Sequence, residues 1–175
     1  MLGMVRSLNL PDCWIGAGFV RNAVWDYLHG RSPTHPSGDV DVIWFDARRA
    51  ASPEDEKLEA ALRALDPGIA WSVKNQARMH LRNGDARYTS VVDAMRHWSE
   101  TATAVAVRRT KREFCEIAAP FGLADLFAMV LRPTPRFTGE KHGIYLDRVH
   151  AKGWLMKWPL VRMVARDGSA RFNSE

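Results

Sequence analysis

The run Gly16-Ala17-Gly18-Phe19-Val20-Arg21-Asn22, followed a helix's length later by Asp39-Val40-Asp41-Val42, leaves the chain few ways to fold. Small residues at 16–18 let the backbone turn sharply and come close to a ligand. Phe19, Val20, Ala23, Val24, Tyr27 and Leu28 then recur with helical spacing, which predicts a helix over about 19–29 with one buried face, stopped by Gly30. Val40, Val42 and Trp44 alternate with Asp39, Asp41, Ile43 and Phe45, a period of two that predicts a strand. The loop 31–38, with Pro33, Pro36 and Gly38 and with His35 beside the carboxylates, joins the two.

The start of such a helix offers unpaired N–H groups and the positive end of its dipole to phosphate oxygens. Gly16, Ala17 and Gly18 would form the cradle, with Arg21 and Asn22 off the apolar stripe in the first turn. Asp39 and Asp41 share one face of their strand, roughly 6.5 Å apart at the α-carbons, so both can converge on one hard cation. Magnesium is held by one or two carboxylates together with substrate phosphates. Asp41 also lies inside an apolar run, where a carboxylate without a partner is costly. A plainer reading fits the same residues: a turn and helix cap, with Asp39 capping the strand and only Asp41 out of the ordinary. Taken together, the two halves suit a metal-dependent phosphoryl or nucleotidyl transferase.

The rest of the chain reads as scaffold with three exceptions. Ser52-Pro53-Glu54-Asp55 opens a helix whose stripe is Leu58, Ala61, Leu62 and Leu65, ended by Asp66-Pro67-Gly68. Residues 69–80 predict a strand that turns polar, and its Asn75 and Arg78 either contact phosphates or a base edge, arginine being suited to bidentate contact, or face solvent. Thr89 or Ser90 caps a further helix. Residues 105–119 predict a β-hairpin on which Glu116, set between apolar neighbours, competes with Glu113 as an additional acid, a structural ion pair being the alternative. Residues 123–131 predict a helix. From about 137, Lys141, Tyr145, Arg148, Lys152, Trp154 and Trp158 interleave bases with aromatics, suited either to nucleobases and phosphates or to an amphipathic helix closing the core.

Gly16 to Asn22 with Asp39 and Asp41 resembles the head domain of the DNA polymerase beta superfamily. The Ala17-Gly18-Phe19-Val20-Arg21-Asn22 stretch is similar to the Gly-Gly-x-Val-Arg-Asp signature of bacterial tRNA CCA-adding enzymes, with alanine and asparagine where that signature has glycine and aspartate. A closer resemblance, over roughly residues 10–160, is to a family of bacterial nucleotidyltransferase-like proteins. It is carried by Trp71-x-Val73-Lys74-Asn75-Gln76-Ala77-Arg78-Met79-His80 and by Pro120-Phe121-Gly122-Leu123-x-Asp125-Leu126-Phe127.

The resemblance implies an α/β (α+β) fold, a small mixed β-sheet flanked by helices, carrying a metal site at a sheet edge. It implies transfer of a nucleoside monophosphate from a nucleoside triphosphate such as ATP to an acceptor hydroxyl, with release of pyrophosphate. It places two Mg²⁺ ions, or Mn²⁺, on Asp39, Asp41 and a third carboxylate from a neighbouring strand, for which Glu116 is the candidate. Gly16, Ala17, Gly18, Arg21, Asn22, Asn75 and Arg78 would hold the nucleotide. The acceptor is left open among protein, RNA and small molecule. Two other classes stay in view: a nucleotide-binding regulator without activity, and an RNA-binding module using the basic C-terminal segment. CCA addition itself is not expected of a chain this short.

Composition sets the outer bounds. With 175 residues, 46% hydrophobic and 26% charged, the chain suits one globular domain over 1–166 with a disordered tail over 167–175. No run approaches the ~18 apolar residues of a membrane span, and residues 1–10 carry no signal-peptide core, so a cytoplasmic protein is expected. Cys13 and Cys115 are too few for a disulfide framework or structural zinc site. From Arg136 onward eight Lys/Arg face four Asp/Glu, so +4 of the net +5 sits at that end, a footprint for a polyanion or an ordinary basic surface.

Overall fold

The computed structural model describes residues 1–32, 35–36, 38–110, 112–164 and 170–171. In chain order the elements are α1 (Leu2–Ser7), β1 (Trp14–Gly16), α2 (Gly18–Leu28), β2 (Val40–Trp44), α3 (Ser52–Leu65), β3 (Trp71–Asn75), α4 (Met79–Asn83) and α5 (Val91–Met95). They continue with β4 (Ala106–Arg109), β5 (Cys115–Ala118), α6 (Ala124–Phe127), β6 (Val130–Leu131), α7 (His142–Lys152), α8 (Trp154–Lys157), β7 (Arg162–Val164) and β8 (Ala170–Arg171). The architecture is the expected mixed sheet with helices around it, in the order β3-β2-β1-β4-β5. Within this sheet only β2 and β3 pair in parallel; β1 is antiparallel to both of its neighbours, and β4 and β5 form the predicted hairpin. A smaller sheet, β6-β7-β8, stands beside it.

The alternation of β2 divides the molecule. Val40, Val42 and Trp44 point to the back, where they pack with Ile15, Val73, Leu62 and Val5 under α1 and α3. Asp41 and Ile43 point to the front, and register places Ser72, Lys74, Trp14 and Gly16 on that same face. There Trp14, Ile43, Ala106 and Ala118 pack with Val91 and Met95 of α5. A third cluster joins α2 to the C-terminal helices through Trp25, Tyr145, Val149, Trp154 and Trp158. The Trp158 indole donates to Asp26, Arg31 donates to the Lys157 carbonyl, and the Leu160 amide donates to His29.

Four expectations need correction. The buried face of α2 is set by Arg21 and Trp25, and Tyr27 is 79% exposed; tryptophans from the C-terminal helices cover a side of α2 that apolar spacing alone did not single out. The strand expected over 69–80 ends at Asn75, because the Asn75 side chain accepts from the Ala77 amide and turns the chain into a short helix. Ala51, not Ser52, caps α3. The helix expected over 123–131 stops after one turn at Phe127, since Met129 is left-handed (φ 54°) and Val130–Leu131 pair with β7. The segment from 137 is amphipathic helix as the core-closing alternative has it. Of the tail, residues 170–171 pair with β7, and the remainder of 167–175 lies outside the described residues. Among the described residues no helix is long and apolar enough to cross a membrane.

Candidate active site

The tight step from β1 into α2 falls on Ala17, with φ 52° and ψ −121°, a backbone region that costs an alanine of order 1–3 kcal/mol. Gly16 is needed for a different reason. A Cβ there would come within 3.1 Å of both Ile43 Cδ1 and Trp98 Cη2, so the glycine lets the front face close over the strand. The expected sharp turn is therefore present at 16–18, but its strain sits on the one residue of the three that is not glycine.

Asp41 lies in the row of Gly16, Ala106 and Ala118 on the front of the sheet. Burial first, and then the like charge of Asp39, push its carboxyl up to about 6, against the Ser72 hydrogen bond and the attraction of Arg148 and Lys152. Asp39 is exposed just before β2. Both carboxylates open on a cleft of about 430 Å³, also lined by Lys74, Arg82, Arg148 and Thr103. Two oxygen-donor side chains, one of them raised by burial and then by the like charge of the other, fit a hard divalent cation that would offset both. Among the described residues no group of three or more His, Cys, Asp or Glu gathers into a metal cluster.

The other candidates are placed as follows. Glu116 shares the sheet face of Asp41, as its alternation requires, but three strands away, roughly 14 Å at ~4.8 Å per strand, and it pairs with Arg108 at 2.6 Å. It is not brought to the aspartates, and neither is Glu113, which pairs with Arg6 and Arg109. Arg21 is 5% exposed, donating to Thr103 at 2.8 Å and to Asn22 at 2.9 Å, with its guanidinium 4.2 Å from the Trp154 ring centre. It is core, and it reaches the cleft only through Thr103. Burial lowers its pKa to about 10, opposed by Glu100, so it stays charged. Asn22 is occupied by Arg21 and borders a neighbouring cleft of about 380 Å³ with Gly18 and Asp39.

Asn75 and Arg78 belong to the back of the sheet. Asn75 is fully buried and donates to the carbonyls of Asp46 and Arg49. Arg78 pairs with Asp55, which also accepts from Trp44 and from the Asn75 amide. This network locks α3 to β2 and β3, and a buried amide with its bonds filled by backbone has none to offer a nucleotide.

Sequence reasoning left out Lys74 and Arg82 of the cleft's cations and offered Arg148 and Lys152 for phosphates without linking them to the aspartates. Lys74 alternates onto the front face with Ser72, a signal present in the sequence. Arg82 follows from the unforeseen α4. Arg148 and Lys152, one turn apart on α7, both bear on Asp41, and nothing local to them says so.

Comparison with known proteins bears on this geometry. A family model described as nucleotidyltransferase matches residues 3–163. An NMR structure described as a CCA-adding enzyme head domain superposes with a TM-score of 0.83 at 37% identity, over 93% of this chain and 86% of that one. A tRNA nucleotidyltransferase complexed with a primer tRNA and an incoming ATP analogue aligns at TM-score 0.60 and 17% identity, over 96% of this chain and 47% of that one. The Bacillus stearothermophilus CCA-adding enzyme in complex with CTP aligns at 0.52 and 21%, over 87% and 38%. The chain thus spans less than half of these two longer relatives, whose likeness is one of fold. No curated protein matches it in sequence.

Proposed function

The chain belongs to the nucleotidyltransferase family, and from that membership we propose that it binds a nucleoside triphosphate in the Asp39–Asp41 cleft and transfers the nucleoside monophosphate to an acceptor hydroxyl. The observation that carries this reading is the meeting of a repelling carboxylate pair with Lys74, Arg82 and Arg148 in one cleft. Carboxylates and cations side by side suit a ligand that is itself polyanionic and metal-bound.

Asp39 and Asp41 would hold Mg²⁺ or Mn²⁺, which when bound supplies charge neutralisation on the phosphates. Lys74, Arg82 and Arg148 take the phosphate oxygens, Arg148 with two nitrogens in a fork and Lys74 as a point charge. The amides opening α2 add donors at the same end. The acceptor oxygen bonds to the α-phosphorus as the bond to the bridging oxygen breaks; pyrophosphate leaves, and the hydroxyl proton passes to an oxygen of the aspartate pair. Nucleotide and tRNA are ligands of the structural relatives; for this chain a nucleoside triphosphate is the proposed donor.

The test is a titration with each of the four ribonucleoside triphosphates, with and without Mg²⁺, following binding and pyrophosphate release. Binding that needs the metal and is lost in the Asp39→Ala/Asp41→Ala protein is the expected result. Binding that survives that double change would place the nucleotide elsewhere and overturn the reading.

A further inference from the structure

Under the cleft one carboxylate serves two guanidinium groups. Glu100 is 0% exposed. Its Oε1 accepts from Arg148 Nε at 3.0 Å, while its Oε2 is buried with no hydrogen-bond partner. Its other cationic neighbour is Arg21, buried at 5% exposure and with its own Nε left without a partner. Both guanidinium groups lie near the ring of Trp154, at 4.2 Å for Arg21 and 5.5 Å for Arg148. An apolar side chain would fill this space at lower cost than a carboxylate with one oxygen unsatisfied. What the carboxylate adds is aim: it takes Nε of Arg148, a residue whose side chain is 38% exposed and which lines the cleft that holds Asp41, and no bond to Glu100 ties up the two terminal nitrogens.

We infer that Glu100 is a positioning residue of the site, fixing the Arg148 guanidinium from behind so that its two terminal nitrogens meet the triphosphate as a preset fork. The inference rests on the nucleotide reading above and extends it to a residue that no substrate touches. Two cations against one buried carboxylate leave a net positive charge beneath the cleft, and of the two Arg148 is the one that lines it. A bidentate contact depends on the orientation of the fork as much as on its charge, so removing the bond at Nε loosens the grip while the charge remains.

The probe is the α,β-methylene analogue of whichever of the four ribonucleoside triphosphates binds most tightly, with Mg²⁺, measured by calorimetry on the full chain in a double-mutant cycle. Glu100→Asp keeps the charge and withdraws the oxygen by one methylene. It should weaken binding about tenfold in the wild-type background and less than about twofold where Arg148→Gln has already removed the fork. A merely structural Glu100 would give the same loss in both backgrounds, and that result, or no loss in either, overturns the inference. A second measurement needs no variant: the Arg148 Nε–H should give a resolved, slowly exchanging nitrogen resonance in the free protein, and a resonance averaged to the position of free arginine overturns the inference even if Glu100→Asp does not fold. Failure of the wild type to bind the analogue overturns the nucleotide reading and this inference together. Wild-type binding with equal losses overturns this inference alone.

Discussion

The two faces of the sheet carry polar groups of the same kinds and treat them in opposite ways. On the back, Asp55 is satisfied by Trp44, the Asn75 amide and Arg78, and Asn75 is consumed by the backbone of Asp46, Arg49 and Ala77. On the front, burial and then the like charge of Asp39 push Asp41 up to about 6, and the cations around it line an open cleft. A buried polar group whose bonds are all filled rigidifies; one held at an electrostatic cost beside solvent is available for a ligand. Polarity within a strand therefore marks a site when the fold sets it against an open cleft rather than against backbone.

The sharpest break between the faces is functional. Asp41→Asn should lower pyrophosphate release by more than about 10³-fold, some 4 kcal/mol of transition-state stabilisation, while its melting curve shows an intact fold; retained turnover would remove the front face from the chemistry. The mirror change on the back is Asp55→Ala, which leaves Arg78 without its counter-charge. It should cost about 3–5 kcal/mol in urea unfolding, with nucleotide affinity of the folded protein unaltered.

Acidity separates the faces next. Asp41 titrates near 6 in the folded protein against 3.8 for its unperturbed value, so in that window the native state holds the extra proton. Stability of the metal-free protein should then fall by about 1–3 kcal/mol as pH rises from ~4 to ~6 and stay flat above. Thermal melts across that range should lose this slope in Asp41→Asn, which at pH 7 should be the more stable protein. A smaller effect tests the strained turn: Ala17→Gly relieves a φ of 52° and should stabilise by about 1 kcal/mol in the same melts. Smallest of all, Glu116→Gln on the distant hairpin should change turnover less than twofold and stability by less than ~0.5 kcal/mol, as for an exposed ion pair.

The turn, α2 and the aspartate strand were legible because their signals are local: small residues before a helical stripe, then a period of two, all within 30 contiguous residues. The hairpin was legible for the same reason. Glu116 shows where such reasoning stops, since alternation gives the face of a residue but not the order of the strands, and the order puts it three strands away. Asn75 and Arg78 lie behind the sheet because the polar run caps a backbone turn and meets Asp55, contacts that a dense polar stretch does not reveal by itself. Arg148 stood out only as one base among several in the C-terminal segment, and Glu100 not at all. Their meaning lies in a contact across 48 residues that neither helical periodicity nor charge counting encodes.

The indole of Trp158 bonded to Asp26, and the Arg31 and His29 contacts beside it, have a consequence in time. Asp39 and Asp41 leave the ribosome before the helix that brings Arg148 and before Trp154, which covers Arg21, both more than a hundred residues later. At ~5–20 residues per second the nascent chain carries its carboxylates for several seconds before the cations and cover arrive. A polypeptide arrested before α7 has α2 exposed along its Trp25 side and a half-built cleft. Closure of these distant contacts is then the natural last step of folding.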